Sequence, residues 1–374
     1  MSAQVLILGG SGRIGSSVAA DLLRFTSAEI IIAGRNVALG KKVCDRLGSR
    51  GRFLPLDLGD REGLTQAISQ ADLVIHCAGP FHYRDTQVLE TCIQHGVNYI
   101  DVSDHPSFTH KAISCAAAAK TAGIMAIINT GIFPGISNSM VRQNVEQLDE
   151  VETIHLSYVV AGSGGAGVTV MRTTFLGLQK PFQAWMNGAW QTVNPYSDRE
   201  MIEFPAPYGR TGGYWFDMPE TFTLPRTFPV KTVITKFGTI PDFYNHLTWS
   251  VARWWHPWLL KQPAVIEFLS QVSHFMTDVT DPFSGIGVAI RSEVTGTKDG
   301  KVTQIVSTLT HANTAIAAGC GTGSIAELIL SGQLDQPGVW VVEQALPTDL
   351  FEQTLQKRSI QIQQSVQILA QNDE

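Results

Sequence analysis

The chain has 374 residues, a length that suits two domains better than one. Its 44% hydrophobic and 16% charged residues describe an ordinary globular protein, and a formal net charge of -6 argues against a general nucleic-acid binder. The five cysteines, Cys44, Cys77, Cys92, Cys115 and Cys320, are scattered and never spaced as CxxC, which speaks against a disulfide framework or zinc site and for a reducing compartment.

Residues 4–8 are an apolar strand run, and Gly10-Ser11-Gly12-Arg13-Ile14-Gly15 follows it directly, with a helical pattern over 14–25. A dinucleotide pyrophosphate needs this order of strand, glycine turn and helix start. The first glycine makes the tight turn, the second admits the phosphates, the third packs helix on strand, and N–H groups at the helix start face the anion. A first strand at residue 4 leaves no room for a signal peptide ahead of it, so a cytoplasmic protein is expected.

Up to residue 128 short apolar runs alternate with helical patterns, the signature of a parallel sheet with helices on both faces. Strands are expected at 4–8, 29–33, 51–55, 73–77, 98–101 and 124–128, with helices between them that include 85–95 and 108–122. Six such strands make a doubly wound sheet. The second strand ends in Gly34-Arg35-Asn36, where NAD-preferring folds place an acidic residue. An arginine there suits a 2′-phosphate instead, so NADP(H) is the expected cofactor. Asp57 follows the third strand, where a contact near the adenine and a turn or helix cap both suit it.

The fourth strand runs into Cys77-Ala78-Gly79-Pro80-Phe81, small residues that leave space for a cofactor at the sheet edge. His76, inside the strand, reads as a satisfied core histidine, and His82 lies just past the turn. The fifth strand continues as Asp101-Val102-Ser103-Asp104-His105, which concentrates carboxylates, a hydroxyl and an imidazole where ligands bind. Asp101, Asp104 and His105 are therefore the candidates for acid–base work, against the alternative that Asp101 and Ser103 cap the next helix. No histidines pair at a metal-ligand spacing. After the sixth strand, Asn129-Thr130-Gly131-Ile132-Phe133-Pro134-Gly135 forms a turn able to cover a nicotinamide and hand the chain to a second domain.

Together the glycine turn, Ala33-Gly34-Arg35, Cys77-Ala78-Gly79-Pro80-Phe81, Tyr99-Ile100-Asp101-Val102-Ser103-Asp104 and Gly131-Ile132-Phe133-Pro134-Gly135 resemble the saccharopine dehydrogenase-like family. The resemblance implies an N-terminal NADP-binding Rossmann domain and a substrate domain inserted before a C-terminal return. It also matches Gly162-Ser163-Gly164-Gly165-Ala166-Gly167-Val168-Thr169 to a glycine-rich approach to a substrate-side helix, with Arg172 and Thr173 one turn on. A short-chain dehydrogenase has a similar glycine turn but needs Lys four residues after a catalytic Tyr. None of the seven tyrosines has one.

Beyond Asn129, alternating stretches at 151–160, 288–296 and 302–310 indicate an antiparallel sheet covered on one face. Residues 194–239 read as irregular structure or short strands, 315–330 as a helix, 339–344 as a returning strand, and 361–374 as an end that frays. The segment 247–275 holds Trp249, Trp254, Trp255 and Trp258. Two readings stand for it: buried helices beside a large pocket, or helices on a membrane surface or subunit interface.

The expected fold is thus α/β: a doubly wound Rossmann domain at 1–135, completed by about 315–360, and an α+β substrate and dimerisation domain at 136–314 on a mostly antiparallel sheet. The expected function is NADPH-dependent hydride transfer to or from a C=O, C=N or C=C of a small or apolar substrate. Gly10, Ser11, Gly12, Arg13, Ile14, Arg35, Asp57, Ala78, Gly79, Pro80, Phe81 and Gly131 would hold the cofactor, and Pro134, Arg172 and Thr173 the substrate. A homodimer and peripheral membrane contact through 247–275 accompany that reading. The alternative is a non-catalytic NADP-binding scaffold or redox sensor.

Overall fold

The computed structural model describes residues 2–162 and 168–369. Ser163 to Gly167 of the glycine-rich stretch, and 370–374 of the expected fraying end, lie outside them. The chain opens with β1 (Gln4–Leu8), α1 (Arg13–Phe25), β2 (Glu29–Gly34), α2 (Val37–Leu47), β3 (Gly51–Pro55), α3 (Arg61–Ile68), β4 (Leu73–His76), α4 (Gln87–His95) and β5 (Asn98–Asp101). Local signals start and stop these helices. The side chains of Asn36 and Asp60 accept from the N–H groups of Leu39 and Gly63 to cap α2 and α3, and Gly96 ends α4 in the left-handed region at φ 69°. The expected helix over 108–122 is two, α5 (Pro106–Ser114) and α6 (Ala116–Thr121). They part at Cys115, whose N–H bonds back to Ala112 and Ile113 in a tightened turn.

Next come β6 (Met125–Ile128), α7 (Ile136–Val145), β7 (Glu150–Ala161), α8 (Val168–Leu176), β8 (Phe182–Met186), β9 (Ala189–Val193), β10 (Glu200–Phe204), β11 (Gly209–Trp215), α9 (Glu220–Thr227) and β12 (Val230–Ile240). The stretch 194–239 holds the short strands β10 and β11, as one of its two readings expected, together with α9 and the long strand β12, which were not anticipated. The chain continues through α10 (Phe243–Trp254), α11 (Pro257–Leu260), α12 (Pro263–Ser284), β13 (Gly287–Lys298), β14 (Lys301–His311), α13 (Thr314–Leu330), β15 (Gly338–Val341), α14 (Val342–Ala345), α15 (Thr348–Lys357) and β16 (Ile362–Ile368).

The chain divides into two units, 1–136 with 315–358, and 137–314 with 359–374. In the first, the order β15-β6-β5-β4-β1-β2-β3 makes a seven-stranded sheet whose pairs are all parallel, the six expected strands joined by the returning one. Its central strands are Val- and Ile-rich and buried on both faces, as a sheet flanked by helices requires. The returning strand is shorter than 339–344: Val341 pairs with Ile128, the last residue of β6, and the ladder ends where Asn129 turns to φ 63°. An ion pair fastens the return. Arg358 donates to both oxygens of Asp21 at 2.8 and 2.7 Å and to Glu327 at 2.9 Å, tying the end of α15 to α1 and α13.

The second unit carries the order β10-β11-β12-β7-β13-β14-β16. It is mixed: β12 runs parallel to β7, and the other neighbours are antiparallel. Within the expected fraying end, Ile362–Ile368 is instead the edge strand β16, laddered to β14, and Gln364 adds a side-chain tie. Its amide donates to Asn144 Oδ1 at 2.9 Å, which also accepts from Ser307 at 2.6 Å. The Trp-rich segment is not a set of buried helices. Trp254, Trp258, Phe268 and Phe275 are exposed, at 74, 60, 62 and 69%. Among the described residues no helix is long and apolar enough to cross a membrane, and no group of three or more His, Cys, Asp or Glu could hold a metal.

Candidate active site

The C-terminal ends of the strands in the first sheet gather most of the expected residues. After β1, Gly9 takes φ 75°, and its neighbourhood leaves no room for a side chain. A Cβ there would lie 2.9 Å from the backbone of Cys77 and Ala78 after β4. A Cβ on Gly15 would lie 2.5 Å from the Gly9 carbonyl oxygen, so that glycine lets α1 sit close on the turn. Gly12 differs: it is the N-cap of α1, at φ −73° and ψ 170°, and a Cβ would meet only the Gly9 carbonyl, at 3.2 Å. A side chain there asks only that this carbonyl give by a few tenths of an ångström, far less than at Gly9 or Gly15. With no side-chain cap and no acidic residue in the first turn, the start of α1 presents backbone donors and a positive dipole end to an anion.

Beside this turn, Arg35 extends from the end of β2 with its side chain 81% exposed, its Nε 3.9 Å from Asp57 Oδ2. Asp57 also accepts from the N–H of Gly59 at 2.8 Å, so it both shapes the turn after β3 and faces Arg35. Arg84 was not anticipated from the sequence. It braces the small-residue turn by donating to the carbonyls of Ala78 at 2.7 Å and Gly79 at 3.3 Å. Burial lowers its pKa, and the charge of Arg35 adds to that, which sets two guanidiniums in one field. The only sequence signal was a lone cation after the turn.

A cavity of about 180 Å³ opens next to Arg84, lined by Leu58, Gly59, His76, Tyr83, Arg84, Asp85, Gln87 and Val88. It lies between the loop after β3 and the start of α4, with Leu58 and Val88 as apolar walls. Pro80 follows a cis peptide bond, and Phe81 packs inward, its ring 4.9 Å from that of Phe108 and 5.0 Å from His76.

On the other side of β4 the polar residues bind one another. His76 Nδ1 lies 3.1 Å from the Tyr99 hydroxyl, which donates to Asp101 Oδ2 at 3.0 Å. Asp101 Oδ1 accepts from the N–H and hydroxyl of Ser103, at 2.9 and 2.6 Å, and from the N–H of Asn129 at 3.0 Å. The Asn129 amide in turn donates to the Ser103 carbonyl and to Thr109. All six residues are buried. Burial raises the Asp101 pKa against the pull of its hydrogen bonds, and lowers that of His76 to about 3, so the imidazole stays neutral. Asp101 thus anchors the loop without capping the helix. The cap of α5 is His105, whose ring accepts from the Ser107 N–H. Tyr99 and Asp101, two apart on one strand face, were legible as neighbours; Asn129, which closes the network from β6, was not.

Asp104 and His105 are only half-buried. His105 Nε2 stands 2.9 Å from His82 Nδ1, and His105 Nδ1 stands 2.8 Å from the Ser107 hydroxyl. Because His105 Nδ1 accepts from the Ser107 N–H, its neutral tautomer carries the proton on Nε2 and donates it to His82. Gly131 and Pro134 are buried in the turn after β6, where the Gly131 carbonyl accepts from the Ile136 N–H at 3.2 Å. Arg172 and Thr173 lie on α8 in the second unit. Glu267 takes the Arg172 guanidinium in two bonds, at 2.6 and 2.8 Å, and Thr173 donates to the Thr169 carbonyl at 3.3 Å. Arg291 is likewise held by Glu293 at 2.6 Å.

A family model described as the saccharopine dehydrogenase NADP binding domain matches residues 5–127. A saccharopine dehydrogenase-like oxidoreductase of Rattus norvegicus is 24% identical over 186 residues, covering 45% of this chain and 43% of that protein. A probable mitochondrial saccharopine dehydrogenase-like oxidoreductase of Arabidopsis thaliana is 27% identical over 120 residues, covering 29% of this chain and 26% of that protein. Less than half the length of either relative is matched. The apo saccharopine dehydrogenase (L-Glu forming) of Saccharomyces cerevisiae has the same fold, with a TM-score of 0.73 at 15% identity over 98% of this chain and 100% of that one. The bare helix start, the glycines that a Cβ would jam and the exposed Arg35 fit NADP(H). Residues 5–127 thus match the NADP-binding domain of the saccharopine dehydrogenase family, and the chain as a whole shares the fold of the yeast enzyme.

Proposed function

We propose that the protein is an NADPH-dependent oxidoreductase that moves hydride to or from a C=O, C=N or C=C of a small or apolar substrate. The observation that carries this is the glycine turn flanked by Arg35 and Asp57, beside the half-buried pair His82 and His105 at the same sheet edge. Bound NADP(H) supplies or accepts the hydride. Gly10, Ser11, Gly12, Arg13 and Ile14 hold the pyrophosphate, and Arg35 with Arg84 holds the 2′-phosphate. The pocket walled by Leu58 and Val88 takes the adenine, and Asp57 precedes Leu58 in the chain. Ala78, Gly79, Pro80, Phe81 and Gly131 shape the path toward the nicotinamide.

In this reading Asp101 fixes the loop, while Asp104 and His105 face the reacting carbon and exchange the proton held on His105 Nε2. Pro134, Arg172 and Thr173 are the substrate-side residues. Because Glu267 and Glu293 already neutralise Arg172 and Arg291, an apolar substrate suits the second unit better than an amino-acid carboxylate. A homodimer in the cytoplasm, with peripheral membrane contact through 247–275, completes the proposal.

The test is a titration with NADPH and NADH by cofactor fluorescence, followed by NADPH oxidation with carbonyl, imine and enoyl compounds. Preferential NADPH binding with turnover on an apolar member is expected. Binding without turnover on any class favours the scaffold, and no binding defeats both readings.

A further inference from the structure

The second unit has a helical surface that faces outward with the wrong side chains for water. On α12, Ile266, Leu269, Ser270 and Thr277 are buried, so one face is already committed to the unit. The opposite face carries Phe268, Val272, Phe275, Val279 and Phe283, exposed at 62, 39, 69, 56 and 91%. Their spacing of four, three, four and four residues makes one continuous stripe, about 22 Å long at the helical rise. On α10 and α11, Trp254 and Trp258 are exposed as well, at 74 and 60%. Singly exposed apolar side chains are common, but a row of aromatics along a helix already buried on its other side marks a docking face.

Charge identifies what docks. Residues 243–266 contain Arg253, Lys261, His246 and His256 and no Asp or Glu, in a chain whose net charge is -6, whereas the acidic residues of this region, Glu267, Asp278 and Asp281, all lie further along α12. The cations flank the tryptophans. Indole rings at the water boundary, basic groups among them and an apolar stripe alongside are the chemistry of a helix lying in the plane of an anionic lipid surface. The 22-residue α12 is not apolar enough to cross such a layer, which suits a helix that rests on it. Polar groups border the stripe: Glu267 is paired with Arg172, and His274 with Asp278 at 2.9 Å.

Deepening the membrane contact of the proposed function, we infer that α10 to α12 bind an anionic lipid surface, with Phe268, Phe275 and Phe283 inserted and Arg253 and Lys261 on the headgroups. The test floats the full chain with vesicles of phosphatidylcholine alone, or with about a third phosphatidylglycerol, while following tryptophan emission. Flotation with the anionic vesicles and a blue-shifted emission are expected, both weakened by salt and by the double variant Arg253→Gln/Lys261→Gln. The triple variant Phe268→Ser/Phe275→Ser/Phe283→Ser changes only exposed positions. It should keep its circular dichroism and NADPH affinity and lose at least about tenfold in vesicle binding. Absence of flotation, or flotation unchanged in the triple variant, overturns the inference. So does a dimer by sedimentation that the triple variant converts to monomer, since the occupant would then be a second copy. NADPH affinity is read separately, so failure here leaves the oxidoreductase reading intact.

Discussion

The two halves of the first sheet's C-terminal edge solve opposite problems. From β3 to β1 the edge is bare: glycines, a helix start without a cap, and Arg35 largely in solvent. From β4 to β6 it is closed, with His76, Tyr99, Asp101, Ser103 and Asn129 buried and bonded to one another. The first half is organised for something that arrives; the second holds the loops that surround it. Polar residues at a ligand-binding edge are thus of two kinds, and burial separates them. Substitutions in the closed half should reduce stability, and those in the bare half should reduce binding.

The largest effect is expected at Asp101. Replacement by Ala strands the N–H groups of Ser103 and Asn129 and the Tyr99 hydroxyl in a dry interior, at a cost of about 3–5 kcal/mol. Denaturant unfolding of Asp101→Ala and Asp101→Asn checks this, and the amide should recover part of the loss. A loss of activity at unchanged stability would put Asp101 in the bare half instead.

Gly12→Val asks the converse. The residue's φ of −73° suits any side chain, and little of the fold touches its Cβ position, so the variant should fold and melt like the parent. The isopropyl group would stand where the pyrophosphate approaches, and NADPH should bind about a hundredfold more weakly. A titration beside a thermal melt reads both quantities. Lost stability with intact binding would reverse the assignment of this edge.

The closed half also has a pH signature. His76 has a folded pKa of about 3, below its ordinary 6.5, so the unfolded chain takes up the proton first. Its contribution is complete above pH 6.5 and is lost as pH falls toward 3. Between pH 6.5 and 5 the loss should be about 2 kcal/mol, and His76→Phe should remove that dependence. Equal acid sensitivity in both proteins would place the titrating group elsewhere.

What the sequence made legible follows from the range of each interaction. The parallel strands, the glycine turn and Arg35 are written within a few residues of one another, and they appear where the pattern put them. The closed network is not local: Asp101 and Tyr99 share a strand, but Asn129 arrives from β6 and His76 from β4, through strand order that no short window encodes. The same holds for β16, which joins β14 through a glutamine in a polar tail, and for β12 lying parallel to β7. Exposure of the Trp-rich helices stayed one of two readings for a related reason. Apolar spacing fixes which residues share a face, whereas what covers that face is decided by the rest of the fold.

The smallest and most discriminating effect is expected at Arg35. Its side chain is 81% exposed and its partner Asp57 stands at 3.9 Å, so removing it costs the folded protein almost nothing. A 2′-phosphate would gain charge-assisted bonds there that NADH cannot make. Arg35→Ala should therefore weaken NADPH about tenfold, leave NADH unchanged and leave the melting temperature within about a degree. The effect stays modest because Arg84 shares the field: its pKa is lowered first by burial and then by the charge of Arg35. A further Arg84→Gln change should remove the remaining preference, yet it also frees the carbonyls of Ala78 and Gly79 from their brace. That second substitution should act on both cofactors at once, which marks Arg84 as the residue where the bare half of the edge and its supporting turn meet.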